Sequence, residues 1–250
     1  MIFAVPLSLA ARLLVSVKRL GVLLLPLALA ACVSSQPPVA VQQASVPMIN
    51  PQYLAMYGEK PDEPYPLPAT DISDVDTRYL RREVAYETRE APGTIVVDTD
   101  NRYLYLVREN GRAIRYGIGV GKQGMSWRGR ATVGRKAAWP RWTPTKAMIA
   151  REPERNAQWA GGMAPGLENP LGPRALYLYK DGRDTMYRIH GTTEPWSIGQ
   201  SVSSGCIRMF NQDIIDLHSR VPTGTTVVVL NRGPLLPPEE DEFGEVANLY

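Results

Sequence analysis

The stretch GTIVVDTDNRYLYLVRENGRAIRYGIGVG, residues 93–121, limits the fold more than any other part of the chain. It holds three β-rich runs, 94–98, 102–108 and 112–120, the first two parted by Thr99-Asp100-Asn101 and the second two by Glu109-Asn110-Gly111. Asn-Gly between alternating runs favours a tight reversal, because both residues tolerate positive φ. Leu104 and Leu106 alternate with Tyr103 and Tyr105, as a strand with two unlike faces requires. Beyond it come the segment RATVGRKA, the loop AAWPRWTP, a short helix near 145–159 weakened by Pro153, and the loop GGMAPGLENPLGP. RALYLY (174–179) and TMYRIH (185–190) read as strands, NQDIIDLHSRV as a helix with Asn211 as its N-cap, and TTVVVL (225–230) as a last strand. With no βαβ alternation, the expected fold class is mainly β with one or two short helices.

The flanks have a different texture. Residues 1–31 contain no acid, the bases Arg12, Lys18 and Arg19, and then the apolar run LGVLLLPLALAA. That order is expected of a signal peptide, and the run is too short and too interrupted by Pro26 for a good membrane-spanning helix. Its end, Leu29-Ala30-Ala31-Cys32, resembles a bacterial lipobox in which Cys32 is lipidated, so the chain is expected outside the cytoplasm. Residues 32–90 form a Pro-rich tether and extended arm, with five prolines between Pro51 and Pro68, and residues 232–250 an acidic tail. Charge is uneven: net −4 over 32–90, +9 over 91–238 and −5 over 239–250. A basic body with acidic flanks suits an anionic substrate or surface, and no helix-turn-helix, zinc-finger or aromatic RNA-binding pattern points to nucleic acid.

The chain has two cysteines and two histidines, and residues 190–209, HGTTEPWSIGQSVSSGCIRM, hold one of each. If Cys32 is lipidated, Cys206 has no partner within the chain, which leaves a buried inert thiol or a thiol kept for chemistry. A cysteine nucleophile needs a base for its proton and donors for the oxyanion. His190 ends a strand whose parity puts Met186, Arg188 and His190 on one face, and the Gly191 carbonyl is placed to accept the Nδ1 proton. Gly205 lets the backbone turn tightly, and the N–H groups of Ser204, Gly205 and Cys206 can converge on a carbonyl oxygen. The alternatives are a structural histidine and a zinc site; one thiol and two histidines without Cys-x-x-Cys or His-x-x-x-His spacing make a poor ligand set. His218 reads as part of a solvated helix face.

The pattern IHG…S-x-G-C-I-R resembles the signature of the L,D-transpeptidase catalytic domain of the YkuD type, and the likeness covers most of 91–231, including YGIGVGKQG, AWPRWTP, NPLGPRALYLY and VPTGTTVVVL. The resemblance implies a β-sandwich-like domain with the cysteine at the end of a groove and no metal or organic cofactor. It makes Cys206 the nucleophile and His190 the general base, with Gly191 orienting the histidine and Ser203 and Gly205 completing the motif. Many members have histidine where this chain has Ser204, which removes any relay through a second imidazole. Arg208 matches the family's Arg/Asn position, with two roles open: binding a substrate carboxylate or bracing the cysteine loop. Trp139, Trp142 and Tyr187 are candidates for the groove wall. The implied reaction is attack on the third residue of a peptidoglycan stem peptide, loss of D-alanine, and transfer to an amine of another stem or of an envelope protein. An L,D-carboxypeptidase or other wall hydrolase, and a non-catalytic wall-binding lipoprotein, are the rival readings.

Overall fold

In the computed structural model the described residues are 50–121, 128–202 and 206–230. The signal peptide, Cys32 and the tether before residue 50 lie outside them, as do Ser203, Ser204, Gly205 and the acidic tail 232–250. Among the described residues, eleven strands form one sheet. In chain order they are β1 Arg82–Ala85, β2 Ile95–Asp98, β3 Tyr103–Arg108, β4 Arg112–Gly117, β5 Gly119–Gly121 and β6 Gly129–Ala138. Then follow β7 Arg174–Lys180, β8 Arg183–His190, β9 Ser201–Val202, β10 Ile207–Arg208 and β11 Thr226–Leu230. Their order across the sheet is β1-β4-β3-β2-β11-β6-β7-β8-β10-β5-β9.

The opening hairpin forms where the Asn-Gly pair predicts it: Arg108 faces Arg112, and Asn110 and Gly111 both take left-handed φ, 58° and 65°. Neighbouring pairs are antiparallel except β2 with β11, β8 with β10, and β5 with β9. A single core contains Leu104 and Leu106 from β3, Leu176 and Leu178 from β7, Ile207 from β10, and Ile214 and Leu217 from the helix α4, Asn211–Arg220. A flat sheet cannot bring β3 and β10 into one core, so the sheet curls over α4, the sandwich-like mainly β arrangement expected. Helices are more numerous than the one or two expected. Pro153 divides 145–159 into α2, Lys146–Arg151, and α3, Pro153–Asn156, with proline at the first position of the second.

Residues 50–90, which composition reads as an extended arm, are folded against the body. They open with α1, Pro51–Met56, and bury Tyr57, Ile72 and Leu80 in a second apolar cluster with Ile198 and Phe210. Polar contacts fasten the same face. The Gln212 amide donates to the carbonyls of Tyr57, Gly58 and Pro68 at 3.1, 3.2 and 3.1 Å, and its oxygen accepts from Thr70 Oγ1 at 2.6 Å. The Tyr57 hydroxyl donates to buried Asp213 at 3.0 Å, and Arg81 lies 3.6 Å from the same carboxylate. Burial lifts that carboxyl to about 7. A loosely laid arm would tolerate truncation of Leu80. Removing its buried side chain is instead expected to cost about 2–4 kcal/mol, read as a lower denaturant midpoint for Leu80→Ala, against no measurable shift for exposed Leu54→Ala.

Candidate active site

β8 and β10 build the site. They run parallel with Ile189 beside Ile207 and His190 beside Arg208, so the chain enters this pairing through Cys206 next to Arg188. Ile189 and Ile207 are buried and pin the register, and Met209 N–H donates to the His190 carbonyl at 2.8 Å beyond it. On the outer side the Cys206 carbonyl accepts from Gly121 N–H of β5 at 3.3 Å. Between the two, residues 191–200 leave the sheet, and the chain rejoins it at β9 beside β5. His190 and Cys206 line one groove of about 410 Å³.

His190 is 5 % exposed, and its Nδ1 lies 2.6 Å from the Gly191 carbonyl oxygen. A carbonyl only accepts, so Nδ1 carries the hydrogen and Nε2 keeps its lone pair. Gly191 is wedged: a Cβ there would come within 2.3 Å of Asn211 Oδ1 and 2.9 Å of Pro173 Cδ. Asn211 does not cap its helix, since Phe210 holds that position; its Oδ1 accepts from Thr192 N–H at 2.9 Å and so braces the Gly191 peptide. Burial, then the positive charge of Arg208 and that of Arg188, press the His190 imidazole down to about 4. Burial pushes the half-buried Cys206 thiol up, opposed by the Arg188 amide and by the charges of Arg188 and Arg208. At neutral pH the pair therefore stands as thiol and neutral imidazole rather than as an ion pair.

Arg208, Tyr187 and Trp142 line the groove. Trp139 does not: its indole N–H donates to Glu63 at 2.8 Å, its ring meets Tyr65 at 4.8 Å, and it is 7 % exposed under the arm. The same Glu63 takes Arg174 at 2.6 and 2.9 Å, so Trp139 belongs to a clamp between arm and body. Met186 lines the same groove as His190, but the strand is irregular there, and the residue takes φ 64° and is 62 % exposed. The cause is a bulge, because pairing of β7 with β8 shifts register between Tyr177 and Tyr179. His218 is half-buried rather than solvated, and burial with Lys136 and Arg174 nearby brings it to about 4. Sequence reading passed over Arg151, Glu152, Arg155 and Glu194, all of which line the groove.

With this geometry in view, likeness to known proteins becomes decisive. Residues 92–229 match the family model described as YkuD, L,D-transpeptidase catalytic domain. The chain belongs to that family. The probable L,D-transpeptidase YbiS of Escherichia coli is 36 % identical over 139 residues, 54 % of this chain and 43 % of that protein. The probable L,D-transpeptidase YcfS of the same organism is 31 % identical over 186 residues, 73 % of this chain and 56 % of that protein. A solved structure from Brucella melitensis named "Probable carnitine operon oxidoreductase caia" is 49 % identical, covers 64 % of this chain and 99 % of that one, and superposes with a TM-score of 0.44. This chain thus spans about half the length of the curated relatives it matches.

Because the chain has two histidines, both lowered to about 4, the state of the site can be read directly. Neither imidazole is expected to titrate near 6.5; NMR of the ring protons should give both midpoints near 4, with His218→Gln assigning the pair. The unfolded imidazole gains its proton near 6.5 and the folded one only near 4, so His190 makes stability fall as pH drops through that interval. A His190 midpoint at 6.5 would contradict the buried neutral state.

Proposed function

We propose that this protein is a peptidoglycan L,D-transpeptidase with Cys206 as nucleophile and His190 as general base. The reading rests on the parallel register that sets Arg208 beside His190, which brings the Cys206 segment against an imidazole whose Nδ1 is already committed to Gly191. Nε2 takes the thiol proton as sulfur attacks the carbonyl carbon of the third stem-peptide residue, and a carbon–sulfur bond forms. The tetrahedral adduct collapses with loss of the carbon–nitrogen bond to D-alanine, whose amine receives the proton from the imidazolium. A cation destabilised by burial and by two arginines gives that proton up readily. The neutral imidazole then accepts a proton from the incoming amine, which attacks the thioester and returns sulfur to the thiol. Backbone N–H groups at Ser204, Gly205 and Cys206 are proposed to hold the oxyanion, with Ser203 completing the loop.

Acceptors of two kinds fit: the diaminopimelate amine of a second stem, giving a 3–3 cross-link, and an amine of an envelope protein. We further propose export with a lipid at Cys32 and the tether of residues 33–49 linking it to the folded part. Valine rather than aspartate at position 33 favours the outer membrane under the sorting rule of such lipoproteins.

Incubating the protein with a purified disaccharide-tetrapeptide should release D-alanine and yield a dimer by mass spectrometry, with both products absent for Cys206→Ala. Loss of D-alanine without a dimer points to water or a protein amine as acceptor; no acyl-enzyme and no release would overturn the reading. The acid limb of kcat/KM is expected near pH 4, well below that of an ordinary histidine.

A further inference from the structure

Along the groove runs a line of alternating charge, of which the dyad chemistry uses only the field of Arg208. Arg151 Nε lies 3.2 Å from Glu152 Oε1, and Arg155 Nη1 lies 3.8 Å from Glu152 Oε2. Arg155 Nη2 then meets Glu194 Oε1 at 2.7 Å, and Arg208 Nη1 meets Glu194 Oε2 at 2.5 Å. Glu194 therefore gives one carboxylate oxygen to each of two guanidinium groups, one from α3 and one from β10. Its backbone is tied down: its N–H donates to Thr192 Oγ1 at 2.9 Å, and its carbonyl accepts from Ser197 N–H at 2.9 Å and Ser197 Oγ at 2.6 Å. Only its side chain is left to move. Arg208 keeps 12 % of its side-chain surface and Glu194 22 %, so this charge-assisted bond sits in a shielded place beside Cys206. Three cations and two carboxylates leave the line net positive.

We infer that Arg155 and Arg208 form a carboxylate subsite and that Glu194 fills it from within until a carboxylate of the acyl-donor peptide displaces it. The identity of that ligand rests on the transpeptidase reading; the subsite itself does not. The exchange leaves neither arginine without an anion, and the released Glu194 carboxylate turns to solvent, so no charge is stranded in either state. A peptide without the matching carboxylate cannot open the bridge. Glu194 thereby lowers affinity for acidic ligands and narrows the difference between acidic and neutral ones, a difference that its removal would widen.

Cys206 supplies a probe that needs no stem peptide. Anionic iodoacetate and neutral iodoacetamide alkylate the same sulfur, and their rate ratio reports anion binding beside it. Glu194→Gln is expected to raise the iodoacetate-to-iodoacetamide ratio about three- to tenfold. Arg155→Ala added to Glu194→Gln should return it towards the starting value. An unchanged ratio, or an equal rise in Glu168→Gln at another groove carboxylate, would overturn the subsite. In the Cys206→Ala background, Glu194→Gln should tighten a disaccharide-tetrapeptide by a similar factor, measured by calorimetry. Amidating either the terminal or the diaminopimelate carboxylate identifies the one recognised, because the gain vanishes only with that one. A raised alkylation ratio without peptide binding in any variant would leave the subsite standing and overturn the stem-peptide reading. Peptide binding with an unmoved ratio would do the reverse.

Discussion

Two residues of parallel pairing, Ile207 and Arg208 against Ile189 and His190, fix where the thiol stands relative to the imidazole. A parallel neighbour cannot be reached by a tight turn, so the chain must leave the sheet and come back. Residues 191–200 are that excursion, and the anchors around them serve the chain's return. Met209 closes it on the His190 carbonyl, β5 flanks it, and buried Ile189 and Ile207 forbid a slip by one residue, which would turn the site's side chains to the opposite face.

The electrostatics follow from the same placement. Arg188 and Arg208 bracket the dyad, and their charge acts in opposite senses on its two members: it favours a thiolate and disfavours an imidazolium. Burial disfavours both ions and prevails. The resting pair is thus uncharged, and in the proposed mechanism charge is created only as sulfur attacks, where the basic surroundings can stabilise a developing anion. Glu194, sharing itself between Arg155 and Arg208, keeps that basic wall from standing bare.

Local pattern made much of this legible. Alternation and Asn110-Gly111 yielded the opening hairpin, apolar spacing yielded α4, and a thiol sixteen residues after a strand-ending histidine pointed to two residues that line one groove. What escaped were features set by partners far away in the sequence. Trp139 looks like a groove wall until Glu63 and Tyr65 cover it, and His218 looks solvated until Lys136 and Arg174 close over it. Asn211 has the chemistry of a helix cap, yet Thr192 N–H claims its oxygen. The irregular backbone at Met186 comes from a bulge in pairing, which no count along β8 alone would reveal. The arm of residues 50–90 was hidden by its prolines: its order comes from Gln212, Asp213 and Phe210, not from any repeat of its own.

Those last contacts bear on how the chain reaches its fold. Tyr57 meets Asp213 across 156 positions, Thr70 meets Gln212 across 142, and Glu63 meets Arg174 across 111. Loops of that length close late and slowly, so the arm has nothing to grip until α4 has been synthesised and packed. During synthesis the arm of residues 50–90 therefore emerges well before the partners it docks on. Docking of the arm is then the step that ends assembly, and it waits for the same helix that follows the cysteine.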